Sequence, residues 1–302
     1  MNGLPPNARK PSWLKVKLPT GDRQSRYAKI KGRARDLGLA TVCEEAQCPN
    51  IGECWGGGTA TFMVMGADCT RGCKFCAVNT MRKGPPLDPE EPHNVAVAIS
   101  EMELDYVVVT SVDRDDIEDG GASHFAACIE SIHDLNPHTM VEVLIPDFCG
   151  EEEHIKKVVQ AHPEVLAHNV ECIERLTRRV RDRRAGYQQS LDVLATAKRL
   201  GAEYTKSSIM VGIGEEIPEV LECMHDLRSV GVDFLTIGQY LRPSTKHMPL
   251  EKFVTPEEFQ LYETEGLRMG FTYVASGPLV RSSYKAGEFF IHRHIQSQKA
   301  AV

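Results

Sequence analysis

Ala60-Thr61-Phe62-Met63-Val64-Met65-Gly66-Ala67-Asp68-Cys69-Thr70-Arg71-Gly72-Cys73-Lys74-Phe75-Cys76 joins a short apolar run to a cysteine loop. The run at 60–66 is too short for a helix and apolar almost throughout, which suits a strand buried on both faces of a parallel sheet. Similar runs follow at 106–111, 140–145, 165–170, 204–211 and 234–240. Helical patterns lie between them. The clearest, 215–230, places Ile217, Val220, Leu221, Met224 and Leu227 on one face, with Gly231 after it. Six strands alternating with helices predict an α/β chain whose centre is a (βα)6 partial TIM barrel. A helix at 256–269 and a strand at 271–276 add one further unit. The expected division is an extension at 1–58, a barrel at 59–240 and a second extension at 241–302, the two extensions closing the barrel mouth. Apart from a helical stretch near 26–37, the first extension lacks regular periodicity. Its Gly56-Gly57-Gly58 lacks the Gly-Lys-Ser/Thr ending of a phosphate loop.

Ligands of parallel α/β folds bind at the carboxyl ends of the strands. Cys69, Cys73 and Cys76, spaced C-x3-C-x2-C, stand at that position after the first strand. A second triplet, Cys43, Cys48 and Cys54, reads C-x4-C-x5-C upstream, so six of the ten cysteines fall within residues 43–76. Structural zinc wants four protein ligands. A four-iron cluster has one thiolate at each of its four corners as a rule, so three thiolates leave one iron open. Two triplets therefore predict two 4Fe–4S clusters, each with an unusual fourth position. Phe75, between the last two cysteines, is placed to pack against a ligand held there.

Apolar content of 42% and charged content of 25% are those of a soluble globular chain. A net charge of −7 argues against general binding to nucleic acid or anionic membrane. No apolar run approaches the ~20 residues of a membrane span, and 1–17 lacks the apolar core of an export signal. A cytoplasmic monomer is expected, with cysteines serving as thiols or metal ligands and not as disulfides. The eleven histidines show no HExxH or paired ligand spacing. Cys128 and Cys223 fall in amphipathic helices and read as small core residues; Cys149, in a loop, is the one to test for reactivity.

The C-x3-C-x2-C loop at the end of the first barrel strand, with an aromatic before its last cysteine, resembles the radical S-adenosylmethionine superfamily. The upstream triplet and Arg281-Ser282-Ser283-Tyr284 narrow the resemblance to the lipoyl synthases, with further matching stretches at 107–116, 142–148, 168–171 and 206–215. It extends over about 13–285. It implies that Cys69, Cys73 and Cys76 hold a reducing cluster whose open iron binds the amino and carboxylate groups of S-adenosylmethionine. The radical then formed abstracts hydrogen from unactivated carbon. It also implies that Cys43, Cys48 and Cys54 hold an auxiliary cluster, with a serine of the Arg-Ser-Ser-Tyr motif, Ser283 by the family pattern, as fourth ligand. The implied reaction inserts two sulfur atoms, drawn from the auxiliary cluster, at carbons 6 and 8 of an octanoyl chain on a carrier lysine. The implied partners are octanoylated lipoyl carrier domains, those of 2-oxoacid dehydrogenases and the glycine cleavage H protein. An electron donor such as ferredoxin or flavodoxin is implied as well.

Residues at the ends of later strands are expected to meet S-adenosylmethionine. Thr110 and Ser111 can meet its amine, or cap a helix. Glu142, an acid within an apolar strand, suggests a pocket role. Asn169 can bond adenine or ribose, or satisfy a loop. Lys206 needs a carboxylate partner if buried. Gly212, with Gly214, fits close backbone approach to adenine. Six arginines between 175 and 184 read mainly as a solvated face, with Arg178 and Arg184 as candidates for the methionyl carboxylate or an acidic carrier. Two rivals remain at this level. A zinc-stabilised binding module would be colourless, whereas two four-iron clusters give a brown protein with about eight irons. A radical enzyme of different outcome, such as a methylthiotransferase or biotin synthase, is separated by its product.

Overall fold

The computed structural model describes residues 3–5, 8–14, 24, 28, 31–32, 40–41, 50–56 and 60–283. Of the helical stretch expected at 26–37, only Ala28, Lys31 and Gly32 are described, all helical. Cys43, Cys48, Gly57, Gly58 and Tyr284 lie outside the described residues.

β1 (Ala40–Thr41) pairs antiparallel with β2 (Ala60–Val64). A short helix, α1 (Ile51–Gly56), lies between them in the chain. β3 (Asp68–Cys69) and β4 (Asn79–Thr80) form a small parallel ladder that closes the cysteine loop at its base. Then strands and helices alternate: α2 (Glu91–Glu101), β5 (Tyr106–Ser111), α3 (Ala122–Leu135), β6 (Met140–Leu144), α4 (Glu152–Gln160), β7 (Val165–Ala167), α5 (Thr177–Val180), α6 (Tyr187–Arg199), β8 (Tyr204–Val211), α7 (Ile217–Ser229), β9 (Phe234–Gln239), α8 (Pro256–Arg268) and β10 (Tyr273–Gly277). The main sheet runs β1-β2-β5-β6-β7-β8-β9-β10, and every pairing after the first is parallel. The α/β partial barrel expected from the runs is present, and no pairing joins β10 to β2 among the described strands. β10 bonds to β9 over five residue pairs, Tyr273↔Phe234 to Gly277↔Gly238. The expected boundary at 240 therefore falls inside a continuous sheet, because the last αβ unit packs as the others do.

The strands alternate between two faces. Val107, Val109, Val141 and Val143 pack with the helices in one core, while Tyr106, Val108, Met140, Val165 and Phe234 cluster on the opposite, concave face. Tyr204 stacks on Phe234 there, centroids 5.2 Å apart, so aromatic rings fill the amino-terminal end of the barrel. Glu142 shares this face with Met140, two residues before it. α7 and α8 each begin with a capping box, Glu216 with Glu219 and Thr255 with Glu258, which satisfies amide groups a helix start leaves open.

His168, just after β7, is buried. Its Nδ1–H donates to the Ile145 carbonyl at 2.9 Å, and its Nε2 accepts from Ser190 Oγ at 2.9 Å. Arg181 donates to the same hydroxyl at 2.7 Å. Burial, then the nearby Arg181 charge, lowers the His168 pKa to about 4. The unfolded chain thus binds the proton first as pH falls, so the stability this neutral histidine contributes is present above about 6.5 and lost between there and about 4. The loss amounts to about 3 kcal/mol at most. Denaturant unfolding at several pH values, with His168→Gln lacking this part of the dependence, checks it.

Candidate cluster and cofactor site

The cysteine loop leaves β2 through Met65 and Gly66, both at positive φ. Its three thiols are half-buried. Each sulfur accepts from backbone N–H groups: Cys69 from Arg71 at 3.4 Å and from Asp113, Cys73 from Asp182 at 3.3 Å and Cys76 from Val78. Such bonds favour a charged sulfur, the form that binds metal. Against them, burial raises the Cys69 thiol to about 11 and Cys73 to about 12, and raises Cys76 as well. The Asp113 carboxylate adds to all three shifts. Burial brings Asp113 itself to about 6, with Arg71 opposing. A cluster of net positive iron reverses the cost of ionising the thiols, so the donor set fits a three-thiolate cluster.

Four separate segments hold the loop in this shape. Arg71, buried, donates to Asp115 at 2.7 and 2.9 Å and to Asp147 at 2.7 Å, and lies 3.3 Å from Asp113. Thr70 bonds Asp113 O and the Asp115 carboxylate, each at 3.0 Å. From the segment after α5, Asp182 accepts from Gly72 N, and Arg184 donates to Thr70 O at 2.7 Å while paired with Asp115 and Asp182. From the far side, Met248 N donates to Lys74 O and His247 meets Cys76 O, each at 3.0 Å. A cavity of about 460 Å³ opens here against Cys73 and Cys76, with Lys74 and Lys246 on its wall.

The residues expected to meet S-adenosylmethionine divide. Ser111 Oγ and Asn169 Oδ1 are buried without a hydrogen-bond partner, as are Thr236 Oγ1 and Ser276 Oγ. Of these, Thr236 shares the concave face with Phe234 and Asn169 follows β7, which fits a ligand with polar ends, whereas Ser111 and Ser276 share the helix-packed face with Val109 and Val274. Asn169 Nδ2 donates to Glu171, a residue at positive φ whose acid is raised by burial. Thr110, by contrast, donates to Leu144 O at 2.8 Å. Glu142 and Lys206 meet each other at 2.7 and 2.9 Å, with Tyr106 donating to Glu142 at 2.6 Å. Both charged side chains are 1% exposed. Arg184 braces the cysteine loop, and Phe75 packs on the core between β8, α7 and α8. Gly212, at φ 95°, has its amide bonded to Glu215, and a Cβ there would collide with Gln239 and the Lys252 carbonyl. That contact, within the protein, accounts for the glycine. Gly212→Ala is expected to cost about 2–4 kcal/mol through overpacking and positive φ, read as a lowered midpoint in thermal unfolding.

Arg71, Asp113, Asp115, Asp147, Asp182 and Glu171 were not singled out from the sequence. A lone arginine between two cysteines and the Asp113-Arg114-Asp115-Asp116 run were the available signals; nothing local connects Asp182 to Cys73.

The segments that flank the barrel strands also meet. Asn50, at the start of α1, donates to Leu279 O at 2.6 Å, and Arg281 donates to Gln239 O at the carboxyl end of β9. Gly238 makes room, since a Cβ there would strike the Val280 carbonyl. Cys54 is buried and Ser283 half-buried on these two segments.

Residues 63–227 match the model of the radical S-adenosylmethionine superfamily. That places the chain in the class its fold and cysteine loop define. Residues 4–48 match the N-terminal domain of lipoyl synthase. The chain is 58% identical over 284 residues to lipoyl synthase of Myxococcus xanthus, 94% of each chain being covered. It is 56% identical over 292 residues to that of an Anaeromyxobacter strain (96% and 98% covered). It is 57% identical over 289 residues to the mitochondrial form of Aedes aegypti (94% and 73%). The chain belongs to the lipoyl synthase family. Among solved structures, the FeFe-hydrogenase maturase of Carboxydothermus hydrogenoformans shares the fold at TM-score 0.56 and 11% identity, over 92% of this chain and 84% of that one. A methylornithine synthase does so at TM-score 0.54 and 15% identity, over 84% and 70%.

Proposed function

We propose that this chain inserts two sulfur atoms, at carbons 6 and 8, into an octanoyl chain borne on a lysine of a lipoyl carrier domain. The observation that carries this reading, beside the family, is the contact of Asn50 with Leu279. The Asn50–Leu279 bond sets the segment of Cys54 against the segment of Ser283, at the strand end from which the Cys69 loop also leaves. Cys69, Cys73 and Cys76 would hold the reducing cluster. Cys43, Cys48, Cys54 and Ser283 would hold the auxiliary one. Together with S-adenosylmethionine the reducing cluster supplies a radical able to take hydrogen from unactivated carbon, and the auxiliary cluster supplies sulfur.

The chain's own part is to hold, orient and shield. The N–H bonds to the three sulfurs and the Arg71 clamp fix the cysteine loop. Asn169 and Thr236 offer unpartnered oxygens to the polar ends of S-adenosylmethionine. Lys74 and Lys246 beside the cavity at Cys73 and Cys76 suit an acidic electron donor such as ferredoxin or flavodoxin. A cytoplasmic monomer belongs to the same reading; no described helix is long and apolar enough to cross a membrane.

A hydroxyl is a harder donor than a thiolate and matches iron less well, so Ser283 would leave when its cluster opens. Ser283→Cys is therefore expected to keep about eight irons while losing lipoyl product. Incubation with an octanoyl-lysine peptide, S-adenosylmethionine and reductant, read by mass spectrometry, tests both points. Parent protein should add two sulfurs. A methylthio product would support the different-outcome rival, and normal product from Ser283→Cys would count against release of Ser283 as the cluster opens.

A further inference from the structure

Away from the cysteine loop, three metal-binding side chains of different kinds meet between α2 and α3. His124 and Cys128 stand four residues apart on α3, one above the other on a single face. Glu91, the first residue of α2, reaches both. The imidazole nitrogen, thiol sulfur and carboxylate oxygen all lie within 4.8 Å of one another. Nε2 of His124 is 2.6 Å from Glu91 Oε2. The Cys128 side chain is 0% exposed and makes no hydrogen bond among the described residues, although its sulfur is aimed at the other two groups.

We propose that Glu91, His124 and Cys128 form a zinc site, using none of the triplet cysteines, that staples α2 and α3 to the root of the cysteine loop. The donor set selects the metal. Magnesium and calcium take oxygen ligands, whereas one sulfur, one nitrogen and one oxygen suit zinc, with water in its fourth position. A thiolate and a carboxylate together carry two negative charges, balancing a divalent cation in a place poorly hydrated. Binding releases the thiol proton to solvent and involves no change of oxidation state. Ligands about 2.0–2.1 Å from a tetrahedral ion stand roughly 3.3 Å apart, so the His124–Glu91 contact opens by a small side-chain rotation.

The root of the loop is already tied here. Glu91 Oε2 accepts from Met65 N at 2.9 Å, and Arg114 donates to Met65 O at 3.2 Å. Met65 is the residue at which β2 turns into the loop, so an ion on Glu91 anchors the same peptide.

The test uses the full chain with its clusters loaded anaerobically. Zinc chloride is added, excess is removed by gel filtration, and zinc and iron are counted. About one zinc per chain is expected beyond the cluster iron, with Cys128→Ala and His124→Gln each lowering zinc affinity at least about tenfold. Zinc should raise the thermal midpoint of the parent and of neither variant. Cobalt in place of zinc should give a thiolate-to-metal absorption that Cys128→Ser lacks. Circular dichroism checks that the variants fold, and both replacements keep near-native volume. Parent protein that retains no zinc, or variants that retain it equally on other thiols, would overturn the proposal.

Discussion

Arg71→Met is expected to strip the reducing cluster and leave the protein with about half its iron, four of about eight. Arg71 is almost wholly buried and meets three carboxylates that come from the turns after β5 and β6. Burial alone disfavours its charge, and Asp115, Asp147 and Asp113 together outweigh that, raising its pKa. Methionine fills similar space but leaves Asp147, 1% exposed, with its carboxylate facing no cation. Removing one partner of a buried ion pair costs about 3–5 kcal/mol. The damage is directed at the site, since Arg71 stands between Cys69 and Cys73 and its own amide donates to the Cys69 sulfur. A displacement of about 1 Å at a reacting centre can cost 10²-fold, so formation of 5′-deoxyadenosine should fall at least that far. Arg71→Lys should be nearly as poor, because one ammonium cannot span the three acids as a guanidinium fork does. Iron analysis, thermal unfolding and a 5′-deoxyadenosine assay measure the three effects. Full iron and parental turnover in Arg71→Met would show that the loop holds its shape without the clamp.

Lys206→Met should destabilise the barrel by about 3–5 kcal/mol. The replacement leaves Glu142 buried with Tyr106 as its remaining partner. The double variant Lys206→Met/Glu142→Leu should recover most of that loss, since well-packed apolar residues often replace a buried pair at little cost. A double-mutant cycle by denaturant unfolding reads the coupling. The same variants separate two roles for Glu142. As half of an internal ion pair it affects stability, and the affinity for S-adenosylmethionine in the stable double variant stays near parental. A large loss of that affinity at unchanged stability would instead support the pocket role its sequence position suggests.

The strand runs were legible because a strand buried on both faces must be apolar throughout. The runs at 106–111 and 204–211 match β5 and β8 residue for residue, and the others differ by one to three residues at their ends. The cysteine spacings were legible because a cluster dictates how far apart its ligands stand along a loop. Lys206 was legible as a charge in need of a carboxylate, but not which one, since Glu142 is 64 residues away. Arg184 reads in the sequence as part of a solvated face or as a partner for the methionyl carboxylate or an acidic carrier, and in the structure it pairs with Asp115 and Asp182. Charge type was visible in the chain; the choice between a substrate acid and a protein acid depends on which loops the fold brings together. His124 and Cys128 carried a one-turn spacing, yet Glu91, on another helix, was needed to make them a cluster.

The sequence by itself determined the class of fold, the two cysteine triplets and the family, because these depend on hydrophobic period and on spacing within one loop. Only the tertiary structure decided which groups surround the sulfurs. The amide of Asp182 on Cys73, the Asp113, Asp115 and Asp147 carboxylates on Arg71, and the contact of Asn50 with Leu279 join residues that are tens to hundreds of positions apart. Hydrogen bonds and ion pairs act over a few ångströms, so their partners are set by how the strands pack side by side and not by their order in the chain.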